Sequence, residues 1–159
     1  LSTRIGKELL LREALDITRS FYDIIVIDCP PNLGNLTING LVAADQVLIP
    51  ADPSPLALSG VYALAEAIET VAMRLNPQLD VLGVLLTRVD GRNRRLNEAM
   101  MSEREEAFGD ALLPVQIGIN NGLVRAQHAG QDIFAFDPES RGAKHYQALT
   151  SHLVERLEG

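Results

Sequence analysis

Cysteine is nearly absent from this sequence: Cys29 is the only one in 159 residues. A lone cysteine excludes an internal disulfide framework and a multi-thiolate metal site, and it suits a reducing compartment. Long apolar runs are missing as well. None approaches the roughly 18 to 20 residues that span a bilayer, and the opening stretch LSTRIGKELL has no apolar core of a signal peptide. A soluble cytoplasmic protein is the expectation. Basic charge is the scarcer sign, with 14 Lys and Arg against 21 Asp and Glu and a formal net charge of -7. That balance disfavours tight, constitutive binding of nucleic acid over the whole surface, although a local basic patch stays open. No segment reads G-x-x-x-x-G-K-[ST], the loop that presents backbone N–H groups and a lysine to phosphates. Gly6-Lys7 comes nearest, but Glu8 stands where a magnesium-binding hydroxyl belongs and no strand precedes it. The chain begins at leucine, as a cleaved product or a piece of a longer protein would.

What is present is an alternation of helices and strands. With 47% hydrophobic and 22% charged residues, the chain can bury a core as one ordinary domain, 1–159. Leu10, Ala14, Ile17 and Phe21 share a helical face within Lys7 to Phe21, which leads into an apolar strand from Asp23 to Asp28. A short helix in NLTINGLVAAD precedes a strand at Gln46 to Pro50. Pro53 and Pro55 mark a turn with Asp52 or Ser54 as helix cap. Val61, Ala65, Ile68, Ala72 and Leu75 then form one stripe, stopped by Asn76-Pro77. Val81 to Thr87 is a near-continuous apolar strand that calls for cover on both faces. A polar loop, a helix over 96–108, a strand over 113–117 and a last helix over 143–157 complete the chain. Such spacing implies parallel βαβ units in a doubly wound, mainly parallel α/β sheet with helices on both faces. Ligands bind such sheets beyond the carboxyl ends of the strands. Here those ends are Asp28 to Pro31, Pro50 to Asp52, Thr87 to Asp90 and Ile117 to Asn120.

Asp28 closes an apolar strand, where a carboxylate needs a partner. It is either an acid that holds Mg²⁺ through water or a cap of the helix after the loop. Pro30 and Pro31 stiffen the following turn, which could respond to a γ-phosphate. Cys29 has no histidine near it in sequence to activate it, so packing is favoured over nucleophilic chemistry. His145 and His152 lie seven apart on one helix, about 10 Å along its axis, too far to share a metal, and His128 has no partner motif. Arg88, Arg92, Arg94 and Arg95 are the densest basic cluster. They read as a solvated face or as a patch for nucleotide or DNA phosphates, and no interleaved aromatics suggest stacking on single strands. Leu149, Leu153 and Leu157 share a stripe on the last helix. Its other face mixes Glu155 and Glu158 with Lys144 and Arg156, which favours packing on the sheet over membrane anchoring.

Three stretches in order, YDIIVIDCPPNLGNLTINGLVAADQVLIPADPSPLALSG, NPQLDVLGVLLTRVD and GQDIFAFDPESRGAKHYQAL, resemble the C-terminal two thirds of the ParA-type partition ATPases. These are deviant P-loop proteins related to MinD, and the resemblance runs from about Leu10 to Leu157. It implies an ATP-switched homodimer that binds nonspecific DNA and is stimulated to hydrolyse ATP by a ParB-type protein bound at a centromere-like site. It also implies a cytoplasmic, nucleoid-associated location. Asp28 matches the acid that holds Mg²⁺ through water, and Cys29-Pro30-Pro31 matches the switch segment that senses the γ-phosphate. Thr87, Arg88 and Asp90 lie in the matching strand-end loop near the base. Ile117 to Asn120 aligns with an adenine-contacting loop, in which Asn120 fits the pattern while Gly118 and Ile119 depart from it. Arg141 matches a basic position on the DNA-binding surface. The resemblance places the phosphate loop, and the aspartate that positions the attacking water, before Leu1, so residues 1–159 alone are not expected to turn over ATP. Three other readings compete: a noncatalytic dimerisation or partner-binding module, a MinD-like regulator of division, and an unrelated doubly wound enzyme. No basic amphipathic tail follows Leu157, which counts against a membrane-associated regulator.

Overall fold

A computed structural model describes residues 6–92 and 108–158. The predicted helix over 96–108 therefore falls almost wholly outside the described residues. The chain divides into two compact units, Leu1–Val47 with Ser59–Val81, and Leu48–Leu58 with Leu82–Gly159.

In the first unit, helix α1 (Leu10–Leu15) is flanked by 3₁₀ turns at Lys7–Leu9 and Thr18–Phe21. The continuous helix expected from Lys7 to Phe21 is thus broken. Asp16, Ile17 and Thr18 at the break are weak helix formers, and Ile17 and Phe21 end up exposed. Helix α2 (Asn35–Ala43) packs on α1 and buries Leu41, Val42 and Ala43. It ends before the strand β1 (Gln46–Ala51), whose first two residues belong to this unit. Helix α3 (Pro55–Arg74) is the longest, and it carries its first turn's cap as expected, with Ser54 Oγ accepting from the Ala57 N–H at 3.3 Å. Its buried stripe is Val61, Ile68 and Val71. Ala65 and Leu75, placed on that stripe by spacing, are exposed.

Asn76, which stops α3, is 1% exposed and binds the unit together. Its Nδ2 donates to the Leu41 carbonyl at 3.1 Å and the Ala44 carbonyl at 2.7 Å, while its Oδ1 accepts from Arg12 at 3.2 Å. Asp23 to Asp28, expected as a strand, is not one among the described residues. Ile24, Ile25 and Val26 are exposed, Val26 at 87%. The run has the composition of a buried strand, but a strand exists only through the neighbour that pairs with its backbone.

The second unit holds a sheet in the order β1-β2-β3, with β2 (Asp80–Val89) in the centre and β3 (Leu112–Gly118) parallel to it. Gly83, Val84, Leu85 and Leu86 are buried in succession, as a strand covered on both faces requires. Each edge strand carries a proline, Pro50 or Pro114, which a central strand would not tolerate. Gly83, at φ 156°, makes room for the Leu113 side chain, since a Cβ there would lie 2.4 Å from Leu113 Cδ2. Three helices follow: α4 (Asn121–His128), α5 (Ile133–Phe136) and α6 (Arg141–Glu158). The first two were not expected from the sequence. Helix α6 packs on β3 through a core of Leu85, Leu113, Ile117 and Leu149, with Leu153 against it. Arg156 donates to the Leu82 carbonyl at 2.8 Å. The stripe therefore meets the sheet as expected at Leu149 and Leu153, while Leu157 is exposed.

Candidate functional site

The carboxyl ends of β1 and β2 bring Asp52, Thr87 and Arg88 together. Thr87 Oγ1 donates toward the Ala51 carbonyl at 3.4 Å and the Asp52 carboxylate at 3.5 Å, and Arg88 Nε lies 3.9 Å from the same carboxylate. Arg88 has φ 57°, the single positive φ outside glycine among the described residues. That conformation is costly for a side chain bearing Cβ, and it coincides with a shift in the β2–β3 register between Leu86 and Val89. The strand bulges there, which re-aims its last residues. Two positions on, Asp90 is clamped by Arg92, whose Nε and Nη2 donate to its carboxylate at 2.9 and 2.7 Å, while the Arg92 backbone N–H donates at 3.1 Å. Those hydrogen bonds hold the Asp90 carboxyl down at about 2 and push the Arg92 guanidinium up.

At the end of β3, its last residue and the two that follow are each tied. The Gly118 N–H donates to His145 Nδ1 on α6 at 3.1 Å, and the Ile119 N–H donates to the Val89 carbonyl at 3.0 Å. Asn120 caps α4, its Oδ1 accepting from the Gly122 N–H at 2.6 Å. Its Oδ1 is therefore engaged by the helix end, and its amide N–H groups are what it can offer a ligand. Thr87, Arg88, Asp90, Gly118 and Asn120 thus occupy the ends of two adjacent strands of one sheet, the edge where open parallel sheets take ligands.

Asp28, Cys29, Pro30 and Pro31 lie in the other unit, ahead of α2. The Asp28 side chain is exposed, not buried at a strand end as the sequence suggests. Among the described residues no group of three or more His, Cys, Asp or Glu gathers to hold a metal ion. A single open carboxylate fits a magnesium ion reached through water, the ion's remaining ligands being oxygens from elsewhere. The loop behind Asp28 is built by its own side chains: Thr37 Oγ1 donates to the Asn32 and Pro30 carbonyls, and Asn32 Oδ1 accepts from the Gly34 N–H at 3.0 Å. Cys29 Sγ sits over Gly40, where a Cβ would come within 2.6 Å of it. Partial burial, and then the Asp28 charge, push the Cys29 thiol up, the wrong direction for a nucleophile.

Arg141 is exposed in the first turn of α6, whose start is capped by Ser140 Oγ accepting from the Ala143 N–H. Arg94 and Arg95 lie outside the described residues. Sequence reasoning missed Asp52, Thr37 and His145. Asp52 was weighed as a helix cap and not as a partner of Thr87 and Arg88. Nothing in the spacing of His145 points across to Gly118.

A family model described as an AAA domain matches residues 1–81. The chain is 39% identical to the sporulation initiation inhibitor protein Soj of Bacillus subtilis, over 94% of this chain and 59% of that protein. It is 38% identical to the chromosome partitioning protein ParA of Myxococcus xanthus, over 95% of this chain and 53% of that one. Among solved structures, Cyanthece apo McdA superposes with a TM-score of 0.77 at 19% identity, over 92% of this chain and 59% of its own. Cobyrinic acid a,c-diamide synthase of Mycobacterium smegmatis, with bound ADP and magnesium, superposes with a TM-score of 0.65 at 31% identity, over 81% and 57%. The chain spans 49% to 59% of the length of the curated relatives it matches. The α/β fold is that of the P-loop NTPases, and the chain belongs to the ParA/MinD-type family of partition ATPases.

Proposed function

We infer that residues 1–159 are the C-terminal part of a single nucleotide-binding domain of an ATP-dependent DNA partition protein, acting on a chromosome or a plasmid. The observation that carries this reading is the gathering of Thr87, Arg88, Asp90, Gly118 and Asn120 at the carboxyl ends of β2 and β3 in a chain of this family. In this reading those residues form the base side of an ATP site. Pro30, in the loop tied by Thr37, responds to the γ-phosphate. Asp28 would hold Mg²⁺ through water, and the ion would supply positive charge for the phosphates. ATP switches a homodimer that binds nonspecific DNA through Arg92, Arg94, Arg95 and Arg141, and a ParB-type protein stimulates turnover in the cytoplasm at the nucleoid. Phosphate contacts belong to a glycine-rich loop, a pattern not found in these residues.

The test is calorimetric titration of Mg-ADP into the protein expressed from its complete gene, beside Asp28→Ala and Asn120→Ala. Under this reading Asp28→Ala removes the magnesium dependence of binding, and Asn120→Ala weakens ADP while leaving pyrophosphate unchanged. Equal binding by all three proteins sinks it. A second reading, a noncatalytic dimerisation or partner-binding module, draws on the exposed run Ile24 to Val26. It gains if the protein dimerises with no nucleotide bound.

A further inference from the structure

Gly118 and His145 fit each other in a way that the backbone alone does not require. Gly118 is outside the positive-φ region, so its conformation is open to any residue. A Cβ at position 118 would instead lie 3.1 Å from His145 Cε1, 3.6 Å from Nδ1 and 3.4 Å from the Val89 carbonyl. The imidazole fills the space that a side chain would take, and its Nδ1 accepts the Gly118 N–H at 3.1 Å. Of the three ties along residues 118–120, the second is backbone to backbone and the third is Asn120 to its own helix. The first alone comes from the side chain of another element.

We propose that His145 is a positioning residue for nucleotide binding: from α6 it holds the loop Gly118 to Asn120 in the register that turns the Asn120 amide toward the base. The inference rests on the reading of that loop as the base-binding wall. Because Nδ1 accepts, the ring proton must sit on Nε2, and an imidazolium has no lone pair to offer. The tie therefore requires the neutral ring.

Three substitutions separate positioning from mere packing. His145→Asn keeps an acceptor near the Nδ1 position without the ring, His145→Gln moves the acceptor outward, and His145→Ala removes it. The readouts are the Gly118 amide exchange rate by ¹⁵N-edited NMR and the ratio of ADP to pyrophosphate affinity. Gly118 exchange is expected to rise about five- to tenfold in the Ala and Gln variants. The Asn variant is expected to stay protected. The affinity ratio should fall in parallel, with pyrophosphate binding unchanged. Gly118 protection that is the same in wild type and His145→Ala overturns the tie. An amide that follows the side chain beside an unchanged affinity ratio overturns the positioning role. Wild-type protein that binds ADP no better than pyrophosphate overturns instead the base-wall reading on which the role rests.

Discussion

Single side chains decide more here than their polarity suggests. Asn76 looks like a helix stop in sequence, and it is one, but it also donates twice to carbonyls at the end of α2 and accepts from Arg12. Asn76→Ala strands those buried acceptors. A loss of about 2 to 3 kcal/mol is expected, measured by urea unfolding; a loss under about 0.5 kcal/mol contradicts the network. Arg88 supplies the opposite case. With φ 57°, Arg88→Gly is expected to raise stability by up to about 1 kcal/mol relative to Arg88→Ala, which keeps a Cβ in the left-handed region. The exposed contact with Asp52 offsets little of this, and equal stabilities of the two variants would show that no strain is stored there. At Asp90 the folded-state carboxyl lies at about 2 against an ordinary 3.8. A depressed acid contributes above its unfolded value and loses that contribution as the pH falls from about 4 toward 2. A ¹³C titration should find its midpoint near 2, returning toward 3.8 in Arg92→Ala. Spacing alone left Arg92 either on a solvated face or in a patch for phosphates. Its engagement by Asp90 is a matter of side-chain geometry that no periodicity encodes.

Elements were legible where one neighbour suffices to define them. Strand β2 reads as four apolar residues in a row and is buried on both faces, and α6 shows its stripe at Leu149 and Leu153. Ile24 to Ile27 has the same apolar signature but makes no ladder among the described residues, since composition reports a wish for burial and not the presence of a partner. Helices α4 and α5 were missed because eight and four residues are too short for a periodic signal, and their capping residues Asn120 and Asp132 are recognisable only once the turns they close are seen. The loop behind Asp28 depends on such local chemistry. Thr37→Val keeps the shape of the side chain and removes the hydroxyl that ties Pro30 and Asn32 to α2. It should cost about 1 kcal/mol and speed exchange of the Asn32 and Gly34 amides, whereas Thr37→Ser should leave both near wild type. If the valine variant protects those amides as well as threonine does, the hydroxyl is not what shapes the loop.

Across the whole molecule, the DNA binding proposed above would require an acidic chain to concentrate its attraction. A formal charge of -7 repels phosphate at long range, so binding has to come from a few arginines whose charge is available. They are not equivalent. Arg92 is clamped onto Asp90 at 2.7 Å, which cancels most of its field beyond a Debye length. Arg141 is exposed in the first turn of α6, a helix start whose partial positive charge adds to its own. Each phosphate neutralised contributes about 0.9 to the slope of log K against log salt on duplex DNA. Arg141→Ala is therefore expected to lower that slope by about 0.9 and to weaken binding alike on unrelated sequences. Arg92→Ala should change it by much less, because the substitution also releases the Asp90 carboxylate from its cation. Fluorescence anisotropy with two unrelated duplexes across a salt series resolves the two. A larger slope change for Arg92 than for Arg141 would mean that the Asp90 clamp opens on DNA, and would move the contact surface from the start of α6 to the end of β2.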